Sequence, residues 1–279
     1  GSKAWQEFLK LLKKHRRNCP INGLILCIPA TSLIEDSTSD IKEKADKLAQ
    51  QVGRIQTTLG GLRFPIYVIV TKSDLISGFR EFTEELGNGP LEQEQILGWS
   101  YDEDLDAPFD PDVLDSGMED LVEEVRSRVM SMLRSPSPRT HEKRRTEEVD
   151  ALFSFPTSLS EVVPRLRFYL QKVFKTTTGP WAQKSLFMRG VYFTSVMVEG
   201  KVLDAQVAEA LNVDVEELPG GGPNRRIDPY FLHDTFSKKA FREDGRVTWA
   251  KEAKREYRRR KGLVLGLGLV AYMLNLAAK

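Results

Sequence analysis

Cysteine and histidine are scarce in this sequence, which has two cysteines and three histidines among 279 residues. Cys19 and Cys27 are too far apart for a C-x-x-C motif, and so few potential ligands exclude a zinc cluster. This cysteine usage fits a reducing, cytosolic setting. Cys27 lies in an apolar run, and we expect it to be a small residue of the core.

A charge excess of either sign is also lacking. The 41 basic and 40 acidic residues leave a net charge of +1, which excludes a globally basic nucleic-acid binder, so we predict no nucleic-acid partner. We expect no signal peptide in these residues, and Gly1-Ser2 has the look of a cloning scar, so we expect a fragment of a longer protein. The length allows one large or two medium domains with a real core.

The phosphate-binding loop G-x-x-x-x-G-K-[S/T] is missing as well. The triple glycine at positions 220–222 does not replace it, because Pro219 and Pro223 flank it and no Lys-Ser/Thr follows. Cradling a phosphate needs the backbone N–H groups and the lysine of such a loop. No nucleophile with a neighbouring base is found either. The sequence therefore predicts no catalytic residue, no metal and no cofactor for this fragment.

The most informative stretch present is an apolar run at residues 66–70, followed by Thr71, Lys72, Ser73 and Asp74. The run is typical of a strand buried on both faces of a parallel sheet. Thr-Lys-x-Asp is a form of the base-recognition signature of GTPase-like folds, in which the carboxylate accepts from a guanine edge and the lysine stem lies along the base. Ser73 or Asp74 could equally cap the next helix.

The segments before this strand predict a β-α-β order. Residues 23–29 form a second apolar run of the buried-strand type, and residues 38–59 form a helix. Its apolar stripe consists of Ile41, Ala45, Leu48, Val52, Ile55 and Leu59. The crossover is long enough for the two strands to pair in parallel. Residues 3–18 predict an amphipathic helix with Trp5 and Phe8 on its apolar side.

Further helices and a third strand are expected downstream. Residues 92–117 are interpreted as an irregular surface segment, with Asp115 or Ser116 capping a helix at 118–133. Another helix is expected at 158–175, after Pro156. Residues 186–195 predict a strand that ends at Ser195, where GTPase-like proteins place a second base-contacting loop. An ordinary strand followed by a turn explains Ser195 equally well.

The carboxyl-terminal end joins a basic stretch to an apolar one. Residues 249–261 contain seven basic residues, and residues 262–278 are uncharged and mostly apolar. A spanning helix needs about 20 such residues, so this is either part of a membrane span or a short one. A hydrophobic helix packed on the domain is the alternative. The basic flank favours the membrane and a cytoplasmic location for the preceding chain.

Taken together, these stretches resemble the cytoplasmic domain of the IcmF/TssM family, the large inner-membrane protein of bacterial type VI secretion systems. The similar stretches are Trp5-x-x-Phe8-Leu9, Pro20-Ile21-Asn22-Gly23, residues 62–82, Arg189-Gly190-Val191-Tyr192-Phe193-Thr194-Ser195 and residues 230–237. They cover most of the chain in the family's order. Some members carry a Walker A loop, and this sequence departs from them in having none.

The resemblance implies a GTPase-like (P-loop NTPase-type) α/β fold, truncated at its amino terminus, with a helical extension. The expected division is 3–134 for a partial α/β subdomain, 135–195 for a linker, helix and final strand, 196–261 for a helical extension, and 262–278 for a possible membrane segment. The implied role is structural, at the cytoplasmic face of the inner membrane, with membrane-complex and baseplate proteins as partners. The alternative is a GTP- or ATP-dependent switch whose phosphate loop lies upstream, with Thr71, Lys72, Asp74 and Ser195 as half of its site.

Overall fold

A mostly parallel sheet forms the centre of the fold in the computed structural model, which describes residues 2–16, 19–59, 62–86, 96–101, 109–135, 144–176, 186–198, 227–240 and 248–249. Its strands are β1 (Leu24–Pro29), β2 (Leu62–Thr71), β3 (Gly98–Ser100) and β4 (Leu186–Phe193), in the order β1-β2-β4-β3. β1, β2 and β4 pair in parallel, and β3 pairs antiparallel with β4. The predicted α/β class with parallel pairing of the first two strands is confirmed.

One layer of helices covers a face of this sheet. The helices are α1 (Ser2–His15), α2 (Ala30–Ile34), α3 (Thr38–Leu59), α4 (Phe79–Glu85), α5 (Pro111–Arg134) and α6 (Thr146–Thr176). α1 contacts α3, α3 contacts α6, and α6 contacts α5, so these four lie side by side. Phe64, Ile66, Val68 and Val70 of β2 are fully buried in the core that this layer completes. The helix predicted at 38–59 is confirmed.

A smaller unit follows β4. Strands β5 (Ser195–Val198) and β6 (Ile227–Tyr230) pair antiparallel, and a short helix α7 (Leu232–Asp234) continues into a π-helical turn (Thr235–Ala240). Phe231 packs edge-on against Phe79 with ring centroids 6.0 Å apart, which fixes this unit to the main core. Strand β7 (Thr248–Trp249) pairs antiparallel with the first two residues of β2.

Only part of the predicted extension at 196–261 can therefore be described, and the predicted segment at 262–278 lies outside the described residues. The four-part division of the chain stays a prediction. Within the part of the chain that is described, no helix is both long enough and apolar enough to cross a membrane.

The expectation that Cys27 belongs to the core is wrong. Leu26 and Ile28 of β1 are buried, whereas Ile25 and Cys27 between them are exposed. β1 is the terminal strand in the sheet order and buries one face, so its side chains alternate between core and solvent. Partial burial still raises the pKa of the Cys27 thiol.

The expectation of an irregular surface segment at residues 92–117 is also wrong, in two places. Residues 98–100 form β3, and α5 begins at Pro111, seven residues before the expected start. The cap is Asp110, whose carboxylate accepts from the backbone N–H of Asp112 at 2.9 Å, and the proline occupies the first helical turn, where its missing N–H costs nothing.

The helix expected at 158–175 begins at Thr146 and continues through Pro156 and Pro164. Each proline removes one intrahelical hydrogen bond. Buried side chains on both sides of the first proline, Leu152, Phe155 and Leu159, hold the helix against the core. Packing therefore outweighs the local preference of proline to end a helix.

Gly117 of α5 provides a test of how closely α5 packs against β3. A Cβ atom there would lie 2.1 Å from Cε2 of Trp99, the residue at the centre of β3. Alanine normally improves a helix by up to about 1 kcal/mol over glycine. We expect Gly117→Ala to lower the free energy of unfolding by about 1–3 kcal/mol instead, because the overpacked ring must shift.

Urea unfolding followed by tryptophan fluorescence measures this change. Ser116→Ala, an exposed position on the same helix, is the matched control and is expected to change stability by less than about 0.5 kcal/mol. A stabilised Gly117→Ala protein would contradict the packing of Trp99 on α5.

Candidate functional site: the carboxyl ends of β2 and β4

Thr71 and Lys72 lie where the central strand ends. Thr71 is the last residue of β2 and pairs with Pro29, the last residue of β1. Lys72 follows in the left-handed conformation, with φ 57° and ψ 38°, which is uncommon for a residue other than glycine. This turn directs the chain into a 3₁₀ helix (Ser73–Leu75) and leaves the Lys72 side chain exposed.

Ser73 joins this turn to the end of β4. Its side chain is fully buried, and its hydroxyl donates to the carbonyl of Val70 at 3.0 Å. Its backbone N–H donates to the carbonyl of Thr194 at 3.2 Å, and the N–H of Thr194 donates to Val70 at 2.9 Å. The turns that follow two adjacent parallel strands are thus held together by backbone and side-chain hydrogen bonds.

Asp74 and Ser195 meet directly, although 121 residues separate them. The Ser195 hydroxyl donates to Oδ1 of Asp74, and an Nη of Arg80 lies 3.4 Å from Oδ2. The Asp74 side chain is only 16% exposed, and Ser195 is 3% exposed. The structure therefore brings Asp74 and Ser195 into contact and places Thr71 and Lys72 at the same end of the sheet.

Asp74 and Lys72 lie at the end of a parallel strand, where α/β proteins bind their ligands. A carboxylate at the end of a parallel strand, beside an exposed lysine stem, could receive the two N–H groups of a guanine edge. Both oxygens of Asp74 already have partners within the chain, and a base would have to share or replace them. In the described ranges, no glycine-rich loop with a lysine adjoins this end of the sheet to hold phosphates.

A charged cluster that sequence reasoning missed lies beyond the end of β1. Lys44 of α3 donates to the Ser32 hydroxyl at 2.9 Å and to Asp36 at 2.5 Å. This hydrogen bond from Lys44 lowers the pKa of Asp36. Arg165 of α6 donates to the carbonyl of Ile34 at 2.6 Å. The cluster connects α2, α3 and α6, which no local sequence pattern brings together.

Arg165 also lines a pocket next to the candidate site. The pocket has a volume of about 320 Å³ and opens between α2, α6 and the turn that contains Leu75. Glu161 faces it from α6. Nearby, burial, reinforced by the negative charge of Asp36, raises the pKa of Tyr169 to about 12, so this tyrosine stays neutral at physiological pH.

The fold defines a mixed α/β protein with a mostly parallel sheet, and residues 71–74 lie where its central strand ends. The protein-family model described as the IcmF-related N-terminal domain matches residues 1–268 of the sequence. The chain is also similar to the type VI secretion system component TssM1 of Pseudomonas aeruginosa, with 31% identity over 266 residues. That alignment covers 94% of this chain and 23% of the relative. No solved structure matches.

The chain therefore belongs to the IcmF/TssM family of type VI secretion system components. It spans about a quarter of the length of the TssM1 protein that it matches. The family suggested by the sequence motifs is confirmed.

The contact between Asp74 and Ser195 can be tested by a double-mutant cycle. Removing one partner leaves a mostly buried polar group without its hydrogen bond, so we expect Asp74→Ala and Ser195→Ala each to cost about 1–3 kcal/mol of unfolding free energy. The double variant should lose less than the sum, by at least about 0.5 kcal/mol, because both changes remove the same interaction.

Urea unfolding of the unaltered chain, the two single variants and the double variant gives the coupling energy between Asp74 and Ser195. Asp120→Ala, an exposed carboxylate on α5, combined with Ser195→Ala is the control pair and should be additive. Additivity for the Asp74 and Ser195 pair would show that the contact contributes nothing to stability.

Proposed function

We propose that this chain is a structural domain of the type VI secretion membrane complex, catalytically silent by itself, that docks partner proteins at the cytoplasmic face of the inner membrane. The observation that carries this proposal is the use of Asp74 within the chain. Its carboxylate joins the turn after β2 to the turn after β4 through Ser195. Because the carboxylate of Asp74 is hydrogen-bonded within the chain, this motif stabilises the domain whether or not a ligand is present.

Family membership supplies the setting of the proposal. The relative at 31% identity is described as a type VI secretion system component, and proteins of such an assembly act by contacting one another. The expected partners are other membrane-complex and baseplate proteins. The basic stretch at 249–261 and the apolar residues 262–278 would add a contact with the membrane.

The structural role predicts partner recovery that does not depend on nucleotide. The tagged chain, incubated with detergent-solubilised membranes of a bacterium that has the secretion system, should recover membrane-complex and baseplate proteins identifiable by mass spectrometry. Recovery should be equal, within about twofold, with a non-hydrolysable GTP analogue, with GDP, and without nucleotide, because no docking contact is assigned to a nucleotide.

Failure to recover any secretion-system protein would overturn the docking role. The tag alone and a heat-denatured sample of the chain serve as controls for non-specific capture. Recovery that appears only with the GTP analogue would favour the second function described next.

The second candidate is a nucleotide-dependent switch of GTPase-like fold, favoured by one observation. Thr71, Lys72, Asp74 and Ser195 come together at the carboxyl ends of two adjacent parallel strands, where α/β proteins bind ligands. In this proposal residues upstream in the parent protein hold the phosphates of GTP or ATP, and β1 would pair with one of their strands through its outer edge.

Titration of fluorescent GTP and ATP analogues separates the two functions. For the switch, we expect binding by a form of the parent protein that includes the upstream residues, with little binding by the 279-residue chain. Asp74→Ala should weaken GTP binding at least about tenfold, since it removes charge-assisted hydrogen bonds to the base.

Asp120→Ala in the same longer form is the matched control and should leave affinity unchanged. Absence of binding by both lengths of protein would exclude the switch and leave the structural role.

A further inference from the structure

The part of the sequence best suited to a membrane joins the described fold at the amino-terminal edge of the sheet. Trp249 of β7 pairs with Leu62, the first residue of β2. After it, residues 250–261 hold seven basic and two acidic residues, and residues 262–278 are uncharged and mostly apolar. Basic and apolar residues in succession bind anionic lipid surfaces, because electrostatic attraction and apolar burial act together.

The end of α1 lies at the same edge of the sheet. Lys13 donates to the carbonyl of Thr58, the next-to-last residue of α3, at 2.9 Å. Arg16 donates to the side-chain oxygen of Asn22, two residues before β1, at 3.0 Å. Since β1 and β2 run parallel from this edge, the ends of α1 and α3 and the starts of both strands meet there.

These two helix ends are basic and have no acidic residues beside them in the sequence. Residues 8–34 and 47–73, which include both helix ends and the starts of β1 and β2, contain no aspartate or glutamate. Basic residues at a helix end also complement the helix dipole, but the dipole does not account for the lack of acidic residues in both segments. We call this surface the basic edge, and its exposed basic side chains are Lys13, Lys14, Arg16 and Arg54.

The acidic start of α5 limits the basic edge on one side. Phe109, just before α5, stacks on Phe174 near the end of α6, so α5 also begins near the amino-terminal edge. Arg167 of α6 forms ion pairs there with Asp112 and Asp115. The order of the helical layer is α1, α3, α6, α5, so the positive surface is confined to the half of the edge that α1 and α3 form.

We propose that the basic edge lies against an anionic lipid surface and that the carboxyl ends of β2 and β4 are directed away from it. Lipid is favoured over nucleic acid because the chain that joins this edge continues into the apolar residues 262–278. The attraction of exposed charges falls off within about 10 Å, so only side chains at this edge contribute. Partner proteins could then reach the Asp74 end of the sheet from the cytoplasm.

The proposal rests on the membrane location proposed above and adds the orientation of the domain. Its tests use the 279-residue chain and vesicles, whereas partner recovery uses solubilised membranes without a bilayer. The docking role and the orientation can therefore fail independently.

Reversing two charges of the basic edge tests the contact with lipid. Lys14→Glu/Arg54→Glu alters exposed side chains that have no hydrogen-bond partner among the described residues. Binding is measured by co-sedimentation with vesicles of equal parts phosphatidylcholine and phosphatidylglycerol. The variant should bind at least about tenfold more weakly than the unaltered chain, and vesicles of phosphatidylcholine alone give the contribution of residues 262–278.

A control variant of equal charge separates the basic edge from net charge. Lys42→Glu/Arg134→Glu alters exposed residues at the start of α3 and at the end of α5, which lie toward the opposite edge of the sheet. Its affinity for the anionic vesicles should stay within about twofold of that of the unaltered chain. Circular dichroism and urea unfolding verify that both variants are folded.

Energy transfer to the bilayer measures the orientation directly. Ser39→Cys and Thr57→Cys, each in a Cys19→Ser/Cys27→Ser background, place a donor dye on exposed positions of α3. The two positions are five helical turns apart, so they share one helix face and differ by about 27 Å along the axis. Transfer to an acceptor on the lipid headgroups should be stronger from position 57 than from position 39.

Equal transfer from the two positions, or stronger transfer from position 39, would overturn the orientation. Equal affinities of Lys14→Glu/Arg54→Glu and the control variant for the anionic vesicles would overturn the lipid contact. If Lys14→Glu/Arg54→Glu instead lost binding to double-stranded DNA while its vesicle binding stayed unchanged, the basic edge would belong to nucleic acid and the proposal would be wrong.

Discussion

The pairing of β2 on both sides is the constraint on which the rest of the fold depends. Its hydrogen bonds run to β1 on one side and to β4 on the other, and residues 64–70 are all buried. A strand of this kind has no solvent-facing side, so both of its faces need cover. The helical layer covers one face.

The candidate site is a consequence of this pairing. Parallel strands end at the same edge, so the turns after β2 and β4 are neighbours by topology. The left-handed Lys72 and the buried Ser73 then fix the path of the first turn. Asp74 reaches Ser195 because both turns are held at this edge, and the contact in turn secures the start of β5.

The sequence was informative where a pattern is local. The stripe from Ile41 to Leu59 predicts α3 correctly, because a regular repeat on one helix face needs no knowledge of the partner that covers it. Runs of apolar residues located β1, β2 and β4 in the same local way. The motif residues Asp74 and Ser195 could be placed at strand ends from the sequence, whereas their common edge follows from the parallel pairing of β2 and β4 in the structure.

The sequence-based predictions were wrong where contacts between distant parts of the chain determine the burial of a residue or the extent of a helix. Cys27 resembles a core residue in its apolar run, but its exposure is set by the position of β1 at the end of the strand order. Pro156 resembles a helix stop, but tertiary packing carries α6 past it. The cluster of Asp36, Lys44 and Arg165 joins three helices and gives no signal in sequence.

The pairing of β7 with the start of β2 has a mechanical consequence. Trp249 sits beside Leu62, at the end of β2 opposite Thr71. Nine residue steps of about 3.3 Å make this strand about 30 Å long. Asp74 and the pairing with Trp249 therefore lie at opposite ends of one strand. β2 connects these two positions, and its parallel hydrogen bonds to β1 and to β4 resist sliding of the strand along its axis.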